Sequence, residues 1–293
     1  MKISPLTSTF GAEITGINLQ DPSNEITEKV YQAFLDYQVL VIRDQALNPA
    51  QQVAFSERYG ELEWQENAKH THPDHDKVLV LSNEIKPDGT AVGVVDAGDY
   101  WHTDSSHHEC PVTATILMSI KVPSQGGATA FCDMYAVYNA LPEATRERIR
   151  GRYGINHVSK ILNPRVTVSQ NRPGAKEFYE MQARERPYVN QPMVRTHDET
   201  GRQALYVSPR FTIGIDGMED DEAQPLLDEL FAYITDEEND YHYKHYYQQG
   251  DLVLWDNRCI THRATGGYAK EDIRRLHRTT IVGKRAFYNP ETA

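Results

Sequence analysis

The chain has 293 residues and a formal net charge of −12, with 39% hydrophobic and 25% charged residues. That is the composition of an ordinary globular protein, so neither disorder nor a fibrous architecture is favoured. The acidic balance, with no basic run longer than a pair, argues against nucleic acid or anionic lipid as a partner. No stretch approaches a membrane span, and the N-terminal MKISPLTSTFGAEI lacks a signal peptide's apolar core, so the expected location is the cytoplasm. Cys110, Cys132 and Cys259 form no CxxC pair, which predicts three buried thiols and no disulfide framework.

In SNEITEKVYQAFLDY, Ser23 or Asn24 can cap a helix along which Ile26, Val30, Phe34 and Tyr37 recur at helical spacing. The run Val39 to Ile42 reads as a strand. Asn48 and Pro49 supply the N-cap and first turn of a helix through Arg58, closed by Gly60. From there the apolar period shifts toward two. Residues 77–82, 113–122, 204–207, 251–255 and 277–283 are short, alternating or β-branched, and bounded by turn formers; they predict a mainly β protein, a sandwich or barrel, with flanking helices. Two helices interrupt the set, from about Met134 to Arg150 and around Pro225 to Ile234. Residues 160–195 are polar and contain proline, and read as a long functional loop or lid inserted in one domain spanning 1–293. The tract YHYKHYYQQ (241–249) reads as an amphipathic aromatic strand that packs on a helix.

The chemistry begins at WHTDSSHH, residues 101–108. In a strand, residues two apart share a face, so His102 and Asp104 would present an imidazole and a carboxylate to one ion. One more imidazole would complete a two-histidine, one-carboxylate face, which suits non-haem Fe(II) because three coordination positions stay open. A His-x-Asp pair alone says little: HPDHD repeats it at His72 and Asp74, and with 12 histidines in the chain about one chance match is expected. Context separates the two, since His72 and Asp74 flank Pro73 in a polar turn whereas His102 and Asp104 lead into an alternating run. His107 and His108 read as loop or pocket-lining groups.

Further along, GDLVLWDNRCITHRAT (250–265) combines a strand, a turn at Asp256 and Asn257, and His262. In IRRLHRTTIVG, strand geometry would put Arg274, Leu276 and Arg278 on one face, with the two guanidinium groups about 13 Å apart; buried arginines require anions, and an exposed basic edge is the alternative.

Taken together, WHTD, GGATAF, WDNRCITHRAT and RRLHRTTIVG, in this order, resemble the taurine dioxygenase and phenoxyacetate dioxygenase family of Fe(II)- and 2-oxoglutarate-dependent oxygenases. FGAEITGINL, VLVIRDQ and RTHDETGRQALYV extend the resemblance over nearly the whole chain. It implies a double-stranded β-helix, or jelly roll, holding Fe(II) through His102, Asp104 and His262. It also implies that Arg274, assisted by Thr129, binds the distal carboxylate of 2-oxoglutarate, and that O2 is the second co-substrate. Arg278 matches a second arginine near the substrate, which hints at a small anionic molecule. A halogenating relative would need a small residue in place of Asp104, so hydroxylation is expected.

Further candidate substrate contacts are Asp99, Tyr100 and Phe211. Sulfonates, carboxylates, aryloxy acids and amino-acid derivatives all remain open as substrates, and a homo-oligomer is compatible with the sequence. The competing readings are a jelly-roll zinc or manganese hydrolase or isomerase, which would not need Arg274 and Thr129, and a binding module that has lost a ligand.

Overall fold

The computed structural model describes residues 1–64, 68–95, 98–162 and 175–292. Its larger sheet has eight strands in the order Lys2–Pro5, Ala12–Thr15, Val39–Ile42, Leu252–Asp256, Ala114–Lys121, Arg275–Ile281, His75–Ser82 and Thr71–His72. All neighbours are antiparallel except Ala12–Thr15 beside Val39–Ile42. The central strands are buried on both faces, and side-chain alternation divides them between two cores. Val39, Val41, Leu117, Val253, Trp255 and Leu276 point one way; Leu40, Ile42, Ile116, Met118, Leu252 and Leu254 point the other. Burial on both faces explains why VLVI and LVLW are continuous apolar runs.

The second core is closed by the helices Asn24–Tyr37 and Pro49–Ser56, which contribute Val30, Phe34 and Phe55. Their ends follow the expected chemistry. Ser23 accepts from the Ile26 amide, and Asn48 forms a reciprocal capping box with Gln51 while Pro49 occupies the first turn. The second helix stops at Ser56 and continues as a 3-10 turn over Glu57–Tyr59, ahead of Gly60.

The first core lies between the larger sheet and a three-stranded sheet ordered His242–His245, Thr129–Asp133, Ile260–Ala264. Phe131 from the small sheet meets Trp255 from the large one at 5.6 Å between ring centroids. This is the jelly-roll sandwich, and its open end carries the site described below. Among the described residues no helix is long and apolar enough to cross a membrane.

Three expectations are corrected. The helix from Met134 to Arg150 is two helices, Met134–Ala140 and Glu143–Ile149. Pro142 forces Leu141 out of helical geometry, to φ −64° and ψ 140°. Residues 160–195 are not a structureless loop: a helix covers Ala175–Glu185 and strands cover Val189–Pro192 and Val194–Thr196, while residues 163–174 lie outside the described residues. Only Tyr179 and Ala183 of that helix pack inward, on Val158 and Phe211, too narrow a stripe to show as periodicity. Cys110 is exposed, whereas Cys132 and Cys259 are buried. The tract 241–249 contributes an edge strand, His242–His245, paired with Thr129–Asp133, and His242 Nε2 lies 2.8 Å from the Ile234 carbonyl of the helix Asp220–Thr235.

His277 faces the opposite side of its strand from Leu276 and packs edge-on against His72, with 5.4 Å between ring centroids. Burial, then His72 and Arg275, push its imidazole down to about 4. An unfolded histidine titrates near 6.5, so as pH falls the unfolded chain takes up this proton first. The contribution of His277 to stability is therefore complete above pH 7 and is lost between about 6.5 and 4, by on the order of 2 kcal/mol between pH 7.5 and 5. Urea unfolding at both pH values is expected to show a flatter pH dependence for His277→Gln than for the wild type; parallel curves would refute the assignment.

Candidate metal centre

His102 and His262 face each other in an isolated antiparallel bridge. The amide of each donates to the carbonyl of the other at 2.9 Å, which places the imidazoles on one side with ring centroids 4.3 Å apart. Asp104 does not share a strand with His102 as expected. Only His102 is paired, and Asp104 enters from a turn that passes through Ser105 at φ 54°. Its carboxylate is directed instead by side chains: Thr115 Oγ1 donates to Oδ2 at 2.7 Å, and Asn257 Oδ1 accepts from the Asp104 amide at 3.4 Å. Asp104 Oδ1 lies 3.5 Å from His102 Nε2, and Oδ2 lies 3.8 Å from His262 Nε2. All three residues are buried, and their donor atoms lie within 4.8 Å of one another.

These residues fit a divalent ion. His102 Nδ1 is 2.8 Å from the Tyr100 carbonyl, so a proton held there leaves the Nε2 lone pair facing Asp104. Burial, with His102 and Arg278 beside it, pushes the His262 imidazole down to about 3, so it stays neutral as a ligand must. Burial opposes ionisation of Asp104, but His262, His102 and Arg278 around it outweigh burial and hold the carboxyl well below the ordinary range. Two imidazoles and one carboxylate on a single face are the donor set of ferrous oxygenases.

A second cluster, His197, Asp256 and Cys259, is equally compact but has no carboxylate to spare. Asp256 Oδ1 accepts from Arg258 Nε at 2.8 Å, and Oδ2 accepts from Arg258 Nη2 at 2.7 Å beside His197 Nε2 at 3.0 Å. It is a brace for the turn leading to His262. His72 and Asp74 are engaged with each other, the Asp74 amide donating to His72 Nδ1 at 3.3 Å, and neither joins the cluster at His102.

Next to the three buried residues is a cavity of about 400 Å3, lined also by Leu81, Leu117, Thr129, Trp255, Arg274 and Arg278. Arg274 precedes its strand and is held by Nε donating to the Gly127 carbonyl at 2.9 Å. Its guanidinium carbon lies 5.4 Å over the Tyr247 ring, and the Tyr247 hydroxyl is 2.9 Å from Thr129 Oγ1. Gly127 has φ +66°, and a Cβ there would come within 2.8 Å of Pro123 Cγ and 3.2 Å of Arg274 Cδ, while one on Gly126, at φ +72°, would meet the Gly267 carbonyl at 2.2 Å, which accounts for the glycine pair in GGATAF. Among the described residues no carboxylate pairs with Arg274, although its neighbour Arg275 pairs with Glu84. Arg278 Nη1 lies 3.8 Å from Asp104 Oδ1.

Residues 2–280 match the family model for the taurine catabolism dioxygenase TauD, TfdA family. The chain belongs to this family. It is 33% identical over 275 residues to the (S)-phenoxypropionate/alpha-ketoglutarate-dioxygenase of Sphingobium herbicidovorans, covering 90% of this chain and 88% of the relative. It is 32% identical over 289 residues to the alpha-ketoglutarate-dependent 2,4-dichlorophenoxyacetate dioxygenase of Cupriavidus pinatubonensis, covering 95% and 96%. The crystal structure of a taurine dioxygenase from Burkholderia xenovorans superposes with a TM-score of 0.79 at 26% identity, covering all of this chain and 92% of that one. The protein is thus an Fe(II)- and 2-oxoglutarate-dependent dioxygenase.

In this dioxygenase the other candidate substrate contacts are placed unequally. Asp99 accepts from Arg210 Nη1 at 2.6 Å and lines an adjoining cleft that also reaches Arg274. Tyr100 contributes its carbonyl to His102. Phe211 lies 6.4 Å from the His102 ring and stacks on His107 at 4.3 Å. Burial, then His108 and Arg186, push the His107 imidazole well down, consistent with a wall group. Three residues of the site escaped the sequence reading. Thr115 carries no motif of its own, Asn257 within WDNRCITHRAT reads only as a turn former, and Tyr247 is one of five tyrosines between 233 and 247, with nothing local to single it out. Anaerobic loading with Fe(II) followed by desalting is expected to leave His262→Ala free of iron and His72→Ala loaded like the wild type; the opposite pattern, read by iron assay, would mean that the wrong pair is assigned.

Proposed function

We propose that the enzyme couples decarboxylation of 2-oxoglutarate, to succinate and CO2, with hydroxylation of a small anionic organic substrate. In this reading His102, Asp104 and His262 hold Fe(II), Arg274 and Thr129 hold the distal carboxylate of 2-oxoglutarate, and Arg278 meets the anionic group of the substrate. When bound, the iron supplies the activation of O2; the remaining tasks fall to the chain. With Nε committed to Gly127, Arg274 presents its two terminal nitrogens as a planar fork, a geometry that lysine does not reproduce. Tyr247 supports both partners, through its ring and its hydroxyl. Leu81, Leu117 and Trp255 provide apolar walls that keep water from the reacting centre.

The observation that carries the anionic substrate is a charge inventory. The cavity is lined by two guanidinium groups and one carboxylate. A ferrous ion adds two positive charges and the co-substrate dianion removes two, so one positive charge is left beside the buried ligands His102, Asp104 and His262, where an unpaired charge is costly. Arg278 is placed to carry it: its Nε is buried without a hydrogen-bond partner among the described residues. The relatives named for phenoxypropionate and 2,4-dichlorophenoxyacetate act on carboxylates, in keeping with this reading.

The test is a panel of small carboxylates and sulfonates, each paired with its neutral amide or ester, incubated with enzyme, Fe(II), 2-oxoglutarate, ascorbate and air. Succinate formation is expected to depend on O2 and on the acid, with the neutral partner at least tenfold poorer, about the effect of losing one charged hydrogen-bonded contact. Arg278→Leu is expected to abolish that preference while retaining the visible Fe(II)–2-oxoglutarate band measured without oxygen. Equal turnover of acids and neutral analogues would sink the anionic substrate, and failure to bind Fe(II) and 2-oxoglutarate together would sink the entire assignment.

A further inference from the structure

We propose that Trp255, Asn257 and Thr115 form a directional hydrogen-bond relay that fixes Asp104 as a one-oxygen ligand. The inference rests on the reading of His102, Asp104 and His262 as the iron site. It begins with a donor that has no choice. The indole Nε1 of Trp255 can only donate, and it donates to Asn257 Oδ1 at 3.1 Å. That contact sets the orientation of the Asn257 amide, so its Nδ2 faces Thr115 and donates to Oγ1 at 2.9 Å. Because Thr115 receives a hydrogen bond from that side, its single proton is turned toward Asp104 Oδ2, at 2.7 Å. Trp255, Asn257 and Thr115 are all essentially inaccessible to solvent, so water does not compete for these positions.

The backbone makes the relay possible. Thr115 lies directly opposite Trp255 in the pairing of Ala114–Lys121 with Leu252–Asp256. Residues opposite each other on antiparallel strands share a face, and here that face points to the ligands. The turn after Trp255 returns Asn257 to the same place, its amide donating to the Thr113 carbonyl at 2.9 Å.

Distance to the imidazoles does not distinguish the two oxygens of Asp104, since Oδ1 is 3.5 Å from His102 and Oδ2 is 3.8 Å from His262. The hydrogen bond does. Oδ2 is engaged by Thr115, whereas Oδ1 accepts no hydrogen bond among the described residues and has His102 Nε2 at 3.5 Å and Arg278 Nη1 at 3.8 Å as its charged or polar neighbours. A carboxylate chelating through both oxygens would leave two of six octahedral positions, one fewer than a bidentate co-substrate and O2 require together. Thr115 and Asn257 are therefore positioning residues that keep the third position open.

Thr115→Val removes the hydroxyl at nearly constant shape, and Thr115→Ser restores it. Affinity of the metal-free enzyme for Mn(II), followed by the electron paramagnetic resonance of the free ion, is expected to fall 10- to 100-fold in Thr115→Val, the usual effect of losing a group that orients a ligand. Thr115→Ser is expected to bind like the wild type. The Fe(II)–2-oxoglutarate absorption band recorded without oxygen is expected to shift in Thr115→Val and not in Thr115→Ser, a change that loss of packing alone does not produce.

Asn257→Ala is expected to weaken Mn(II) binding in the wild-type background and to add little in the Thr115→Val background, because it acts through Thr115. Fully additive effects, or a Thr115→Val protein with wild-type affinity and an unshifted band, overturn the relay. If Thr115→Val does not fold, Asn257→Ala and Thr115→Ser decide by the same two readouts. A wild-type protein that does not bind Mn(II) removes the metal-site reading and the relay with it, whereas wild-type binding with indifferent variants removes the relay alone.

Discussion

Two reciprocal backbone hydrogen bonds between His102 and His262 are the constraint on which the site depends. They form an isolated bridge that joins the segment entering the large sheet to the strand Ile260–Ala264 of the small one, and they turn two imidazoles toward a common point. A side-chain contact could bring the rings together in many poses, but a reciprocal amide pair sets distance and facing at once. Asp104 then needs only one turn of chain to arrive between them, where burial opposes ionisation of its carboxyl but His262, His102 and Arg278 outweigh it.

The surrounding structure is arranged so that this pairing cannot drift. At the end of Leu252–Asp256, Asp256 is clamped by Arg258 and His197, while Arg258 also reaches Asp198 and, through Glu199, the hydroxyl of Tyr31 on the first helix. Burial opposes ionisation of Asp256, and Arg258 and His197 outweigh it. A fully partnered network of this kind is rigid, since removing any member would leave a buried charge exposed to the low-dielectric interior. It contrasts with the cavity a few residues away, where Arg274 has no carboxylate partner among the described residues. Arg43, Arg210, Arg258, Arg263 and Arg275, by contrast, are each paired with a carboxylate.

Much of the fold could be read from local patterns because the forces responsible are local. Ser23 and Asn48 cap their helices through neighbouring amides, and the VLVI and LVLW runs are apolar because both sheet faces are covered. The break at Pro142 was visible as chemistry but was overridden by apolar spacing that continued across it. The region from 160 to 195 differs for the opposite reason: its helix packs only the partly buried Tyr179 and Ala183 against Val158 and Phe211, and Gln191 of its strand is buried while donating to the Ser106 and His108 carbonyls, an arrangement with no apolar signature. Cys110 looked like a core thiol on residue type alone and lies at the surface.

Residue order by itself determined which groups are available: two histidines and an aspartate as candidate ligands, two arginines in phase near the C-terminus, and Gly127, which allows close approach to Arg274. These are properties of identity and spacing, which the chain carries before it folds. Which Asp104 oxygen is held, which of the neighbouring tyrosines supports Thr129, and which of two His-x-Asp pairs meets His262 were decided only in three dimensions. Each depends on a contact between strands distant along the chain, and sheet register, through Trp255 opposite Thr115 and His102 opposite His262, is what brings those partners within hydrogen-bonding distance.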